Sequence, residues 1–407
     1  MDSGLFDAGA GGLSRRRFLQ AAGGGLGALA LAPILAACSS ESSKDPFARE
    51  AAGIVDFANW PLYLDKAKDQ DGATIRPSLL AFTDETGIEV NYREVIPDAE
   101  AFYDQIEPLL VAGRPTGWDI MVITNGLTLT KLIALDQLVE IPSDRRPNFD
   151  ANADPTVRDP AYDPANRYTM AWQSGITGIA YNPLLTGRPI TSLDDLFDPA
   201  FAGKVGMFGD LVDLPNLTLM ATGVDPETST PTDWRNAADR LRRQRDDGVL
   251  AGYYQQSYVR ALQNGDIALS MAWSGDIFQA NADGANLQFV VPDEGAILWT
   301  DAMCIPRAAQ HPVDAVALMD FVYRPDIAAL IAAWVNYVTP VPAAKNQILA
   351  LAEQANSPDE QERLRNVAES DLVFLPEQER SLLRTYRPLA NDDEITQWES
   401  TFGEFQV

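Results

Sequence analysis

The chain has 407 residues, 46% of them hydrophobic, so it can bury a sizeable core. Its formal net charge of -27 excludes nucleic acid and anionic membrane surfaces as partners, because phosphate repels an acidic surface. With a single histidine, beside Pro312, and two cysteines, zinc sites and His-based triads lack their usual parts and no disulfide framework exists; no cofactor or bound metal is expected.

The N-terminus comes first because it stands apart from the fold. Ser14-Arg15-Arg16-Arg17-Phe18-Leu19 is a twin-arginine pattern, followed by an uncharged Gly-, Ala- and Leu-rich stretch over 18–37. Leu35-Ala36-Ala37-Cys38 closes it. A basic segment, an apolar core and small residues before a cleavage point make an export signal. Residues 1–37 are therefore expected to be removed, with Cys38 lipidated. An uncleaved membrane anchor is the other reading, and the glycine content argues against it. Residues 38–52 read as a tether, polar over 39–44.

From residue 53 onward, short apolar runs alternate with helical spacing. Strands are predicted over 53–58, 88–95 and 118–123, and helices over 75–86, 102–112 and 128–135. Gly87 and Gly113-Arg114-Pro115 act as stops. Residues 148–166, rich in Asp, Asn, Pro and Ala, read as a surface loop. A second series runs from 176 to about 299. It has strands over 204–208, 267–272 and 288–291 and helices over 215–222 and 234–245. Helices over 313–323 and 326–335 follow. His311 stands beside Pro312 at a helix start, and Cys304 lies in an apolar run as a buried free thiol. The alternation predicts α/β architecture with mainly parallel sheets and two lobes. The predicted division is 53–172 with 300–345 for the first lobe, and 173–299 with 346–407 for the second. Ligands of such lobes sit at the carboxyl ends of strands.

Four clusters combine carboxylates or amides with aromatic rings. They are Asn59-Trp60-Pro61-Leu62-Tyr63, Asp210-Leu211-Val212-Asp213, Trp273-Ser274-Gly275-Asp276 and Trp299-Thr300-Asp301. Each is read as beginning where a strand ends, so that all can converge on one edge. Acid and aromatic together suit a linear polyamine. Aspartates compensate ammonium charge and accept its hydrogen bonds. Ring faces wall the methylenes and attract the cation by about 0.5–2 kcal/mol each. Each residue also has a plainer reading: Asp213 as a helix N-cap, Asp276 as a turn residue, and Trp60, Trp273 and Trp299 as core. Recurrence of acid with aromatic at successive strand ends favours the binding reading.

At these clusters the chain resembles the periplasmic spermidine/putrescine-binding proteins of ABC transporters. The resemblance is carried by Asn59-Trp60-x-x-Tyr63, Trp118-Asp119-Ile120-Met121-Val122 and Glu294-Gly295-Ala296-Ile297-Leu298-Trp299-Thr300-Asp301. It continues in Phe321-Val322-Tyr323-Arg324-Pro325-Asp326 and Tyr337-Val338-Thr339-Pro340. It implies a type II periplasmic-binding-protein fold, two α/β lobes closing about a hinge on the ligand. It also implies that Trp60, Tyr63, Trp273, Trp299 and Tyr337 wall the polyamine, that Thr124 contacts an amine, and that Asp210, Asp213, Asp276 and Asp301 hold ammonium groups. The implied partners are a polyamine, an ABC permease and, through Cys38, the outer face of the cytoplasmic membrane; the protein would be a monomer. Pro61 and Leu62 stand where the family has a hydroxyl residue and an acid. Gly126 replaces an aromatic of the spermidine binders, and Asp213 a glutamate.

Two other functions compete. A ferric-iron-binding protein of the same architecture would use adjacent tyrosines such as Tyr253-Tyr254, although aromatic walls do not suit a hard metal. A secreted glycoside hydrolase would use two of the aspartates as acid and base. A structural surface lipoprotein is the plainest alternative.

Overall fold

The computed structural model describes residues 45–407 apart from Gln70 and Ala390, so the expected signal over 1–37 and the expected lipidation site Cys38 lie outside the described residues. Among the described residues no helix is long and apolar enough to cross a membrane.

Twelve strands are present among the described residues: β1 Ile54–Asn59, β2 Ala67–Lys68, β3 Thr74–Ile75, β4 Glu89–Glu94, β5 Ile120–Thr124 and β6 Thr169–Tyr181, then β7 Val205–Phe208, β8 Leu250–Tyr254, β9 Leu269–Trp273, β10 Gln288–Val290, β11 Ala296–Cys304 and β12 Leu383–Arg384. One sheet runs β4-β1-β5-β11-β6-β9-β7-β8. The outer trios β4-β1-β5 and β9-β7-β8 are parallel, as the alternation predicts. Between them β11 and β6 run antiparallel to each other, β11 antiparallel to β5 and β6 antiparallel to β9. These two long strands tie the parallel trios into a single sheet, a link the sequence reading lacks.

Helix signals behave as local chemistry dictates. Pro77 opens Pro77–Thr86, and Gly87 closes it at φ 72, where its N–H reaches the Thr83 carbonyl. Thr230 and Asp233 form a reciprocal capping box on Pro231–Asp246. The surface-loop reading of 148–166 is corrected. The segment begins inside the helix Pro147–Asn152 and is pinned inward. Asp163 is buried and accepts from the N–H groups of Arg167, Tyr168 and Thr169 at 2.8–3.0 Å. Asn166 is buried too and donates to the Val157 carbonyl at 3.1 Å. The polar composition serves internal hydrogen bonds, which a buried irregular segment requires.

The hydrophobic interior divides along the sheet. One core gathers Val55, Phe57, Phe82, Trp172, Met303, Phe321 and Tyr323, and includes Ile348, Ala352, Leu364 and Val367 of the helices Ala344–Gln354 and Pro358–Glu369. Another gathers Phe208, Leu214, Trp234, Tyr258, Met271, Ile297, Tyr386, Trp398 and Phe405. Tyr337 packs against both. Cys304 is a free, buried thiol.

Candidate functional site

The carboxyl ends of β1, β5, β7 and β9 deliver Trp60 and Tyr63, Thr124, Asp210 and Trp273. The Trp299-Thr300-Asp301 cluster differs from expectation. It lies in the middle of β11 and not at a strand end. An aspartate at a strand centre opposes local propensity, and its tertiary partners explain it. Asp301 pairs with Thr124 of β5, on a strand that lies between the two parallel trios.

Asp301 is 6% exposed. It accepts from the Tyr63 hydroxyl at 2.7 Å and from the Thr124 hydroxyl at 2.5 Å. Burial pushes its carboxyl up to about 6, against the lowering effect of those two donors. Tyr63 is held by its own carbonyl, which accepts from the Trp172 indole at 3.1 Å. Asn59 shapes the preceding turn, its side-chain oxygen accepting the Trp60 N–H at 2.8 Å. The Trp60 indole donates to the Val122 carbonyl at 3.0 Å.

Across the site Asp213 is buried. It accepts from Thr177 at 2.6 Å, the Trp273 indole at 2.8 Å and the Tyr386 hydroxyl at 2.8 Å. Burial raises its carboxyl pKa, and the hydrogen bonds oppose the rise. Asp213 is not the helix cap. Val212 precedes the helix Asp213–Ala221, and Asp210 receives the N–H groups of Val212, Asp213 and Leu214 at 2.6–3.3 Å. Desolvation and the neighbouring Asp213 raise the Asp210 carboxyl. Asp276 is not a turn residue: it lies in the first turn of the helix Ser274–Ala282. There it accepts from the Tyr258 hydroxyl at 2.9 Å, and burial raises its pKa. The same hydroxyl accepts the Trp273 N–H at 3.0 Å, so Tyr258 sets both Trp273 and Asp276.

Three of the rings pack in series. Trp299 and Tyr337 lie with centroids 5.4 Å apart, and Tyr63 and Tyr337 at 5.8 Å. The Trp299 ring covers Gly175, its register partner on β6, where a Cβ would fall 2.1 Å from the ring. Gly275 plays the same part for Tyr337, at 2.3 Å. Both glycines are thus required by close approach. The methyl added by Gly175→Ala should displace Trp299 and weaken ligand binding about tenfold or more, with circular dichroism unchanged. Titration calorimetry on the variant checks this, and full affinity would remove Trp299 from the wall.

The substitutions against family pattern are also visible. Leu62 is 65% exposed and adopts φ 61, so it contributes no side chain to the interior. Beside Gly126 a Cβ would meet Val212 at 3.5 Å, so Val212 borders the space left by the missing ring. Tyr253 and Tyr254 belong to β8, and Tyr253 packs on Phe405 within the second core. Neither tyrosine joins the carboxylates above. Away from this site Asp56, Asp119 and His311 bring ligand atoms within 4.8 Å of one another. Asp119 is already occupied there by the N–H groups of Asp56, Gln310 and His311 and by the His311 ring, which makes it a clasp between segments.

Thr177, Tyr258 and Tyr386 are missing from the sequence-based site. Tyr386 sits 173 residues from Asp213, outside every motif of the resemblance. No local signal announces it.

Among the described residues no cationic side chain figures among the groups acting on Asp210, Asp213, Asp276 or Asp301. Their donors are hydroxyls, an indole and backbone amides. Carboxylates buried this way are incompletely compensated and favour an added cation.

A profile of the family described as bacterial extracellular solute-binding protein matches residues 79–358. The spermidine/putrescine-binding periplasmic protein of Escherichia coli (strain K12) is 27% identical over 291 residues, 71% of this chain and 78% of that protein. The putrescine/agmatine-binding protein of Pseudomonas aeruginosa is 28% identical over 276 residues, 63% of this chain and 72% of that protein. Among solved structures, the spermidine/putrescine ABC transporter substrate-binding protein of Streptococcus pneumoniae superimposes with a TM-score of 0.68 at 24% identity. It covers 86% of this chain and 98% of its own.

Proposed function

Because the chain belongs to the bacterial extracellular solute-binding protein family, we propose that it captures a polyamine of the spermidine or putrescine class and delivers it to an ABC permease. It is a binding protein and performs no chemistry on the ligand. The observation that carries the reading is that Asp210, Asp213, Asp276 and Asp301 have no cationic partner among the described residues; the reading has Trp60, Tyr63, Trp273, Trp299 and Tyr337 wall the ligand between them. Several carboxylates spaced along aromatic faces complement a thin chain with several ammonium groups. Relatives with spermidine and putrescine in their names support the same class.

The proposed lobes are 53–172 with 300–345, and 173–299. The stretch 346–407 divides between them: helix residues up to 369 join the first core, and Tyr386 through Phe405 join the second. β6, β11 and the Tyr337 segment form the hinge region.

Titration calorimetry with putrescine, spermidine and a ferric chelate tests the function. Heat with a polyamine and none with iron is expected. Tight iron binding without polyamine heat would overturn the reading in favour of an iron carrier. Turnover of a glycan panel would favour a hydrolase.

The proposed site of action is extracytoplasmic, with the monomeric protein tethered through lipidated Cys38. Cys38→Ser should move the protein from the membrane fraction to the soluble extract when cells are fractionated. Persistent membrane association would mean that the leader is an uncleaved anchor.

A further inference from the structure

We propose that Gln173 is a specificity-determining contact that selects an unsubstituted primary ammonium at the Asp301 end of the site. The inference rests on the polyamine reading and deepens it.

Gln173 is only 3% exposed, yet its side-chain oxygen has no hydrogen-bond partner among the described residues. A buried amide left unpaired is costly and is seldom retained without a role. Its position supplies one. Gln173 on β6 is the register partner of Asp301 on β11, whose partner on the other side is Thr124. Facing residues of antiparallel strands project to the same side of the sheet. Thr124, Asp301 and Gln173 therefore form one row across three strands. Along β6 the next position on that face is Gly175, which has no side chain and is covered by Trp299. The register thus sets Gln173 beside the central carboxylate, one same-face step from the glycine that the ring covers.

A primary ammonium has three N–H groups to place. Both Asp301 oxygens already accept from protein hydroxyls, so the carboxylate is a shared acceptor. The Gln173 carbonyl offers a further acceptor without a further charge beside Asp301. A second carboxylate there would repel the first. A dimethylated ammonium has one N–H. Asp301 takes it, and Gln173 remains unpaired while two methyls crowd the row. Rejection by an unmatched buried polar group is an effective form of selectivity.

The test is titration calorimetry with putrescine and with N,N,N′,N′-tetramethylputrescine, on wild type, Gln173→Met and Gln173→Glu. Methionine keeps the length and removes the acceptor; glutamate keeps both shape and acceptor. Gln173→Met should bind putrescine about ten- to hundredfold more weakly. Its affinity for the tetramethyl ligand should barely change, so the gap between the two ligands narrows. Gln173→Glu should keep the gap. Unchanged putrescine affinity in Gln173→Met, an equal loss for both ligands, or a lost gap in Gln173→Glu would each overturn the assignment. Should Gln173→Met fail to fold, Gln173→Leu, which also lacks the acceptor, takes its place with the same expected and overturning results. A wild type that binds no polyamine would instead sink the proposed function itself.

Discussion

Replacing Asp301 with asparagine should weaken polyamine binding by about 3–4 kcal/mol, two to three orders of magnitude in Kd. The substitution removes a charge from the centre of the sheet and leaves a bound ammonium with only neutral acceptors. Asparagine preserves the volume, and its carbonyl oxygen still accepts from Thr124 or Tyr63, so the local packing survives. Stability should move the other way. The buried carboxyl of Asp301 is held at about 6 by desolvation, a sign that its charged form is disfavoured there. An amide carries no such penalty, and the ligand-free variant should melt at a higher temperature near pH 8. Titration calorimetry and thermal melting on the same preparation separate the two effects. Unchanged affinity would place Asp301 outside the site. Lower affinity with a lower melting temperature would mean that it matters for folding.

How far this site could be read from sequence depends on the range of each interaction. Asp301, Trp299, Trp60 and Tyr63 stand in short motifs whose residue order is itself informative; the Tyr63 hydroxyl reaches Asp301, and Tyr63 and Trp299 both pack on Tyr337. The α/β class and the parallel trios follow from apolar periodicity, a local property. Asp210 and Asp213 show the limit of local reading. Two acids three residues apart before a helix are equal candidates for the cap. Only the backbone path shows that Asp210 takes the amides and Asp213 turns to Trp273 and Tyr386. The strand through Trp299 and Asp301 was hidden because aspartate and the polar Thr300 end an apolar run by any propensity rule. Ser174 on β6 supplies a hydroxyl 2.9 Å from that of Thr300, which makes the polar stretch acceptable inside the sheet. Residues 148–166 were hidden for the same reason, since Asp163 and Asn166 are polar for the benefit of buried backbone. Tyr258 and Tyr386 act across long sequence separations, where composition carries no trace.

Acidification from pH 8 to pH 5 should weaken polyamine binding about a hundredfold or more, with protons taken up as the ligand leaves. An ammonium favours the charged carboxylate, so binding must lower the pKa of each group it touches. Asp301 begins at about 6 in the free protein, which alone makes binding about tenfold weaker at pH 5. Asp210, Asp213 and Asp276 also begin raised and add to the loss to the extent that the ligand engages them. Stability of the ligand-free protein follows the opposite course. The folded pKa of Asp301 lies above its unfolded value of about 4. The favourable contribution of the neutral carboxyl is therefore complete below about pH 4 and is lost as pH rises through about 6. For this one residue the swing is on the order of 3 kcal/mol. Net acidity also destabilises the chain as pH rises, so the wild type must be compared with Asp301→Asn, in which the remaining charges are the same. The melting-temperature difference between the two should widen from pH 5 to pH 8 without ligand. Saturating spermidine should then raise the wild type most at pH 8, where the empty carboxylates are charged. A difference that stays constant with pH would show that Asp301 keeps an ordinary carboxylate pKa. The site would then lack the desolvation on which selective capture of a cation from water depends.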